Sequence, residues 1–159
     1  PEPTVVPPPT EVDATPTLLI GPGVGQQAPD LVLPDLNGTE IRLQDLRGKK
    51  VVLAFWRLGD ADSEAMMPYL KKYHQEHKDD PDVVLVTVSI GSPSDAIRAV
   101  AQPNGWELRI LLDENSQKAT EYMISYWRTT FFLDPEGIIK ERVEGVTNDE
   151  ELYRQAHAF

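Results

Sequence analysis

The chain contains no cysteine, and this single absence removes several kinds of chemistry. A disulfide framework, a thiolate metal site, a thiol nucleophile and dithiol exchange all need that side chain. It does not fix the redox compartment. Basic residues are also scarce, with 15 Lys and Arg against 26 Asp and Glu and a formal charge of −11. A surface of that sign repels phosphate backbones and anionic lipid, so nucleic acid is not an expected partner. No run of apolar residues is long enough to span a bilayer. The length of 159 residues suits one domain with a real core and some additional chain.

What is abundant is proline, and it is unevenly spread. Pro1, Pro3, Pro7, Pro8, Pro9, Pro16 and Pro22 are half of the chain's 14 prolines. Residues 1–25 therefore read as an extended, proline-rich disordered linker, because such a segment supports neither helix nor ladder. The chain starts at Pro1 without Met, which suggests an upstream piece. A signal or membrane anchor before a spacer fits, and so does an internal fragment of a larger protein.

From residue 26 to 159 the pattern is that of a globular α/β domain. Leu31 to Leu33 and Ile41 to Leu43 flank Asn37-Gly38, a strong hairpin signal. Val51 to Phe55 reads as a buried strand, broken by Gly59. Asp60, Asp62 and Glu64 then mark a helix start, and the helix is expected over 62–75 with a kink at Pro68. Val83 to Ser89 reads as a second buried strand, of the parallel type. A helix is expected from Ser92 to about Ala101, an extended piece at 110–112 and a helix over 115–122. Thr129 to Leu133 and Ile138 to Val143 form an antiparallel hairpin around Asp134-Pro-Glu-Gly137. Thr147-Asn-Asp-Glu150 reads as a capping box for a final helix. This order implies a mixed central sheet with helices on both faces and an N-terminal β-hairpin.

Several short motifs in this order carry a resemblance. They are Gly25-Gln-Gln-Ala-Pro-Asp30, Leu33-Pro-Asp-Leu-Asn-Gly38, Leu43-Gln-Asp-Leu-Arg-Gly-Lys49, Val51-Val-Leu-Ala-Phe-Trp56, Met67-Pro68 and Thr129-Thr-Phe-Phe-Leu-Asp-Pro-Glu-Gly137. Together they resemble the thioredoxin-like superfamily, in its TlpA/ResA-type and AhpC/TSA-type redoxin branches of the bacterial envelope. The resemblance implies a thioredoxin-like fold and, in relatives, a W-C-x-x-C corner whose first thiol sits at a helix N-terminus. Laid onto this chain, the two cysteine positions fall on Asp60 and Ser63, and the tryptophan on Gly59. The peroxidase pattern T-x-x-C would place its thiol at Ser63 as well. The family's cis-proline corresponds to Arg128, where a cis bond after Trp127 would cost about 2.5–4 kcal/mol, so a trans bond is expected. Asp60, Ser63 and Arg128 are thus degenerate redox-site positions, and Arg128 is expected within salt-bridge or hydrogen-bond reach of Asp60 or Asp62.

Each of these residues also has a plain reading. Asp60 and Asp62 are expected first as helix caps and dipole partners. A calcium loop starting at Asp60 would need Gly and Glu where Ala65 and Lys71 stand. His74 and His77 are three apart on a helix, but Lys71, Lys72, Glu76 and Lys78 around them read as a solvated face, so no metal is assigned. Ser63 has no Gly-x-Ser-x-Gly elbow and no histidine nearby. Trp56 is expected in the core. Tyr126 and Trp127 are expected to pack over the altered corner, with an exposed protein-contact patch beside Arg128 as the alternative.

The sequence therefore points to a redox-inactive, non-catalytic protein- or peptide-binding or scaffold module outside the cytoplasm, with the surface around Gly59 to Ser63 and Tyr126 to Arg128 as its binding region. No cofactor is assigned, and the oligomeric state is left open. Two alternatives remain: an oxidoreductase or antioxidant family member acting without thiols of its own, and a cation-binding domain at the acidic corner.

Overall fold

The computed structural model describes residues 3–4, 18–145 and 149–159. Most of the proline-rich linker assigned to residues 1–25, and Thr147 of the expected capping box, lie outside the described residues.

The expected hairpin is present as β1 (Val32–Pro34) and β2 (Glu40–Arg42), antiparallel with Leu33 opposite Ile41. Its turn is fixed by Asp35, whose carboxylate accepts from the main-chain N–H groups of Asn37 and Thr39. A 3₁₀ turn at Leu43–Leu46 then leads to the central strand, β3 (Lys50–Trp56).

Further along come α1 (Ala61–His77), β4 (Val83–Ile90), α2 (Ser94–Asn104), β5 (Ile110–Asp113) and α3 (Gln117–Glu121). The chain closes with β6 (Thr129–Leu133), β7 (Ile139–Glu144) and α4 (Asp149–Ala158). The five-stranded sheet has the order β5-β4-β3-β6-β7. Strands β3, β4 and β5 run parallel, whereas β6 is antiparallel to both of its neighbours.

Alternation along β3 divides the core into two layers, because successive side chains of a strand point to opposite faces. Leu53 and Phe55 pack with Leu31, Leu33, Tyr122 and Phe131, under the hairpin and α3. Val52, Ala54 and Trp56 pack with Met66, Leu70 and Tyr73 of α1, Ile97 of α2 and Leu152 of α4. Trp56 is fully buried, as its apolar strand context requires, and meets Trp106 edge to face at 5.7 Å. The N-terminal lead-in joins the sheet region early. Gly21 donates to the carbonyl of Gln27, and Gly25 donates to that of Ile139.

Three helices differ from the sequence expectation. Helix α1 starts one residue earlier and runs two residues further, and it contains Pro68 as expected. Pro68 lies on the exposed side of the helix, where water can satisfy the Glu64 carbonyl that proline leaves without its usual donor. Helix α2 continues through Pro103 to Asn104, and Gly105 in the left-handed region (φ 61°) ends it. Helix α3 begins two residues late because Ser116 is left-handed (φ 56°) and the buried Asp113 carboxylate caps the main-chain N–H groups of Lys118 and Ala119.

Candidate functional site

The corner between β3 and α1 is built by main-chain requirements. Gly59 has φ 88°, a conformation that glycine adopts without penalty. It delivers the chain to Asp60, the N-cap of α1, whose Oδ2 accepts from the Ser63 N–H at 2.9 Å. This satisfies one of the donors a helix start leaves open, so the capping reading of Asp60 holds. Ser63 is fully buried, and its Oγ accepts from the Arg57 N–H at 3.2 Å. Asp62 is exposed on the first turn. Among the described residues, Asp60, Asp62 and Glu64 do not assemble into a set of three within liganding reach.

Sheet register brings the second half of the site. Phe55 stands opposite Thr129, so in the antiparallel pairing of β3 with β6 the residue before Thr129 falls beside the corner. That residue is Arg128, and its peptide bonds are trans, as expected. Its side chain is buried and crosses to α1, where Nη1 donates to the Asp62 main-chain carbonyl at 3.3 Å. The expected reach to Asp62 is present, but it runs to the carbonyl. A carboxylate that the guanidinium meets is that of Asp149, at the first turn of α4. Helix α4 packs back onto α1 and brings its own acid.

The aromatic pair also departs from expectation. Tyr126 is 55% exposed and Trp127 44% exposed. The space over the corner is occupied by the Arg128 side chain, which leaves the rings outside. The loop is held from beneath: the Thr129 hydroxyl donates to the Tyr126 carbonyl at 2.9 Å, and the Gly145 N–H donates to the Arg128 carbonyl at 3.0 Å. The Arg57 guanidinium lies 4.3 Å from the centre of the Trp127 ring, within cation–π range.

Between the corner and this loop lies an open depression of about 210 Å³, lined by Asp60, Asp62, Gly145 and residues 125–128. Pockets for drug-sized ligands enclose roughly 300–1,000 Å³, so this one suits a side chain or a short peptide stretch. Sequence reasoning missed Asp149, Arg57 and Gly145 here. Arg57 directly follows the central strand, which is a usable signal. Asp149 and Gly145 carry no local signal for this site.

The sheet order, the hairpin and the β3–α1 corner together define a thioredoxin-like fold. The AhpC/TSA family model matches residues 24–142, and the chain belongs to that family. The chain is 34% identical over 136 residues to the thiol-disulfide oxidoreductase ResA of Geobacillus kaustophilus, covering 86% of this chain and 78% of that protein. It is also 34% identical over 134 residues to the thioredoxin-like protein YneN of Bacillus subtilis, covering 84% and 78%. Among solved structures, the pneumococcal exposed lipoprotein thioredoxin of Streptococcus pneumoniae superimposes with a TM-score of 0.70 at 24% identity, covering 82% of this chain and 100% of that one. This chain itself carries no thiol.

Proposed function

We propose that this domain is a redox-inactive thioredoxin-like module that binds a protein or an extended peptide segment at the face formed by Gly59, Asp60, Asp62, Tyr126, Trp127 and Arg128. The observation that carries the reading is the exposure of Tyr126 and Trp127 beside a corner whose polar groups are already committed. Exposed aromatics backed by an arginine are the side chains enriched at the centres of protein contacts. Asp60 and Ser63 offer no nucleophile for disulfide exchange, and Asp60 is engaged in capping.

In this proposal, residues 26–159 form the binding domain, Gly21 and Gly25 are hydrogen-bonded to it, and the proline-rich chain before them acts as a tether. Its place is the cell envelope, in keeping with the pneumococcal relative described as an exposed lipoprotein. Among the described residues no helix is long and apolar enough to cross a membrane.

Two measurements test this reading. Insulin reduction and peroxide consumption by the purified chain are expected to stay at the buffer rate, and turnover above it would overturn the non-catalytic assignment. Panning a displayed peptide library should enrich a common sequence on the native protein and not on the Tyr126→Ala/Trp127→Ala variant. Equal enrichment on both would overturn the assigned face.

A further inference from the structure

At the opposite end of α1 from the redox corner, its last turn meets the end of α4. All three histidines of the chain are His74, His77 and His157, and two of them come together here across eighty residues of sequence. The carboxylate of Glu76 and one ring nitrogen from each of His77 and His157 lie within 4.8 Å of one another. Glu76 and His77 are neighbours on the helix and diverge around its axis, but His157 reaches both. Its Nε2 is 3.1 Å from Glu76 Oε2, and its ring centre is 4.8 Å from that of His77.

The hydrogen bonding of these rings leaves donor atoms facing one another. His157 Nδ1 lies 2.8 Å from the Tyr153 carbonyl. A carbonyl only accepts, so Nδ1 carries the hydrogen and the neutral ring presents Nε2 as a lone pair. That lone pair faces a carboxylate oxygen, and the contact is favourable only with a cation between them: a proton on Nε2 or a metal ion shared by both.

His77 is arranged in a similar way. Its Nδ1 stands 3.6 Å from Asp80 Oδ2, and its Nε2 is shielded from solvent with no hydrogen-bond partner. A ring nitrogen turned to a carboxylate or carbonyl, with the other left free, is the outer-shell arrangement of metal-bound imidazoles.

We propose that Glu76, His77 and His157 form a divalent transition-metal site, with Zn²⁺ as its cation, that fastens the carboxy-terminal helix to α1. Two imidazoles and one carboxylate match the donor preference of Zn²⁺ at about 2.0–2.2 Å per bond, with water in the fourth position. Glu76 is exposed, and its Oε2 also accepts from the Tyr153 hydroxyl, which holds the carboxylate toward the ring of His157. The ion would hold the far end of α4, whose first turn carries the Asp149 contact to Arg128. The site is independent of the peptide-binding face.

The test is calorimetric titration of the tag-free, chelator-treated chain with zinc chloride. One equivalent should bind, and Zn²⁺ should raise the thermal midpoint. Glu76→Gln, His77→Gln and His157→Gln should each weaken binding at least about 10-fold and abolish the thermal shift, while His74→Gln should bind as the native chain does. Should a variant fail to fold, the imidazole NMR signals of the native protein read the same point: Zn²⁺ should move His77 and His157 and leave His74 in place. No binding, binding unchanged in His157→Gln, or a shift confined to His74 would overturn the site.

Discussion

Arg128, immediately before β6, donates from its guanidinium to the carboxylate of Asp149 at the start of α4. The arginine side chain is 5% exposed and the aspartate side chain 22%. This contact ties the loop beside the β3–α1 corner to the last helix of the fold.

Removing one member of such a pair is costly because the other charge stays out of water. Asp149→Ala is expected to destabilise the protein by roughly 2–4 kcal/mol, whereas Arg128→Met/Asp149→Leu should recover most of that loss. A double-mutant cycle by urea unfolding measures this. Additive single-residue effects would show that the two side chains do not interact.

Asp60 works as a helix cap, so Asp60→Ala should cost about 0.5–2 kcal/mol and Asp60→Asn much less. The same position tests the electrostatics of the helix start. In Asp60→Cys, the thiol at the start of α1 should titrate below the ordinary value of about 8.5, because the helix N-terminus favours the thiolate. Thiolate absorbance against pH gives the answer, and an unshifted thiol would contradict the assigned geometry.

Trp127 carries contact surface and little of the fold's stability. Trp127→Ala and Arg57→Ala are each expected to change unfolding free energy by less than about 1 kcal/mol, the range of an exposed cation–π pair. Their effect should appear in peptide capture. A large loss of stability with unchanged capture would assign the ring to the fold instead.

High pH should unfold the protein through its buried phenols. Burial pushes Tyr73 up to about 12, with the nearby charges of Asp80 and Glu76 adding to it, and burial likewise raises Tyr122. In the unfolded chain both ionise near ~10. The unfolded state therefore releases these protons first, so stability is intact below pH ~10 and falls as pH rises toward 12. Tyr73 also donates to the Ala156 carbonyl at 2.9 Å. Tyr73→Phe should lose about 1 kcal/mol at neutral pH and show a shallower alkaline decline in denaturant midpoints.

Much of the scaffold was legible because its signals are local. Strand β6 occupies Thr129–Leu133 as the sequence pattern indicates, since a β-branched and aromatic run ends at a turn whose Asp134 carboxylate accepts from Glu136 and Ile138. The start of α1 was legible from Asp60 and the acidic first turn. The course of α2 through Pro103 to Asn104 was not, because a proline's cost depends on whether its freed carbonyl reaches water. The exposure of Tyr126 and Trp127 stood only as the alternative reading for a related reason: sequence does not say which side chain fills the space over the corner.

The sequence by itself determined that these residues offer no thiol, because a chain with no cysteine carries none in any conformation. It also determined the layered α/β order, since strand and helix periods are written in consecutive residues. Only the tertiary structure decided the partners. Periodicity marks the apolar face of α4 but not the helix it lies on, and it is the docking of α4 against α1 that places Asp149 on Arg128 and His157 beside Glu76. These contacts join residues far apart in the chain, whose meeting is set by packing and by no local rule.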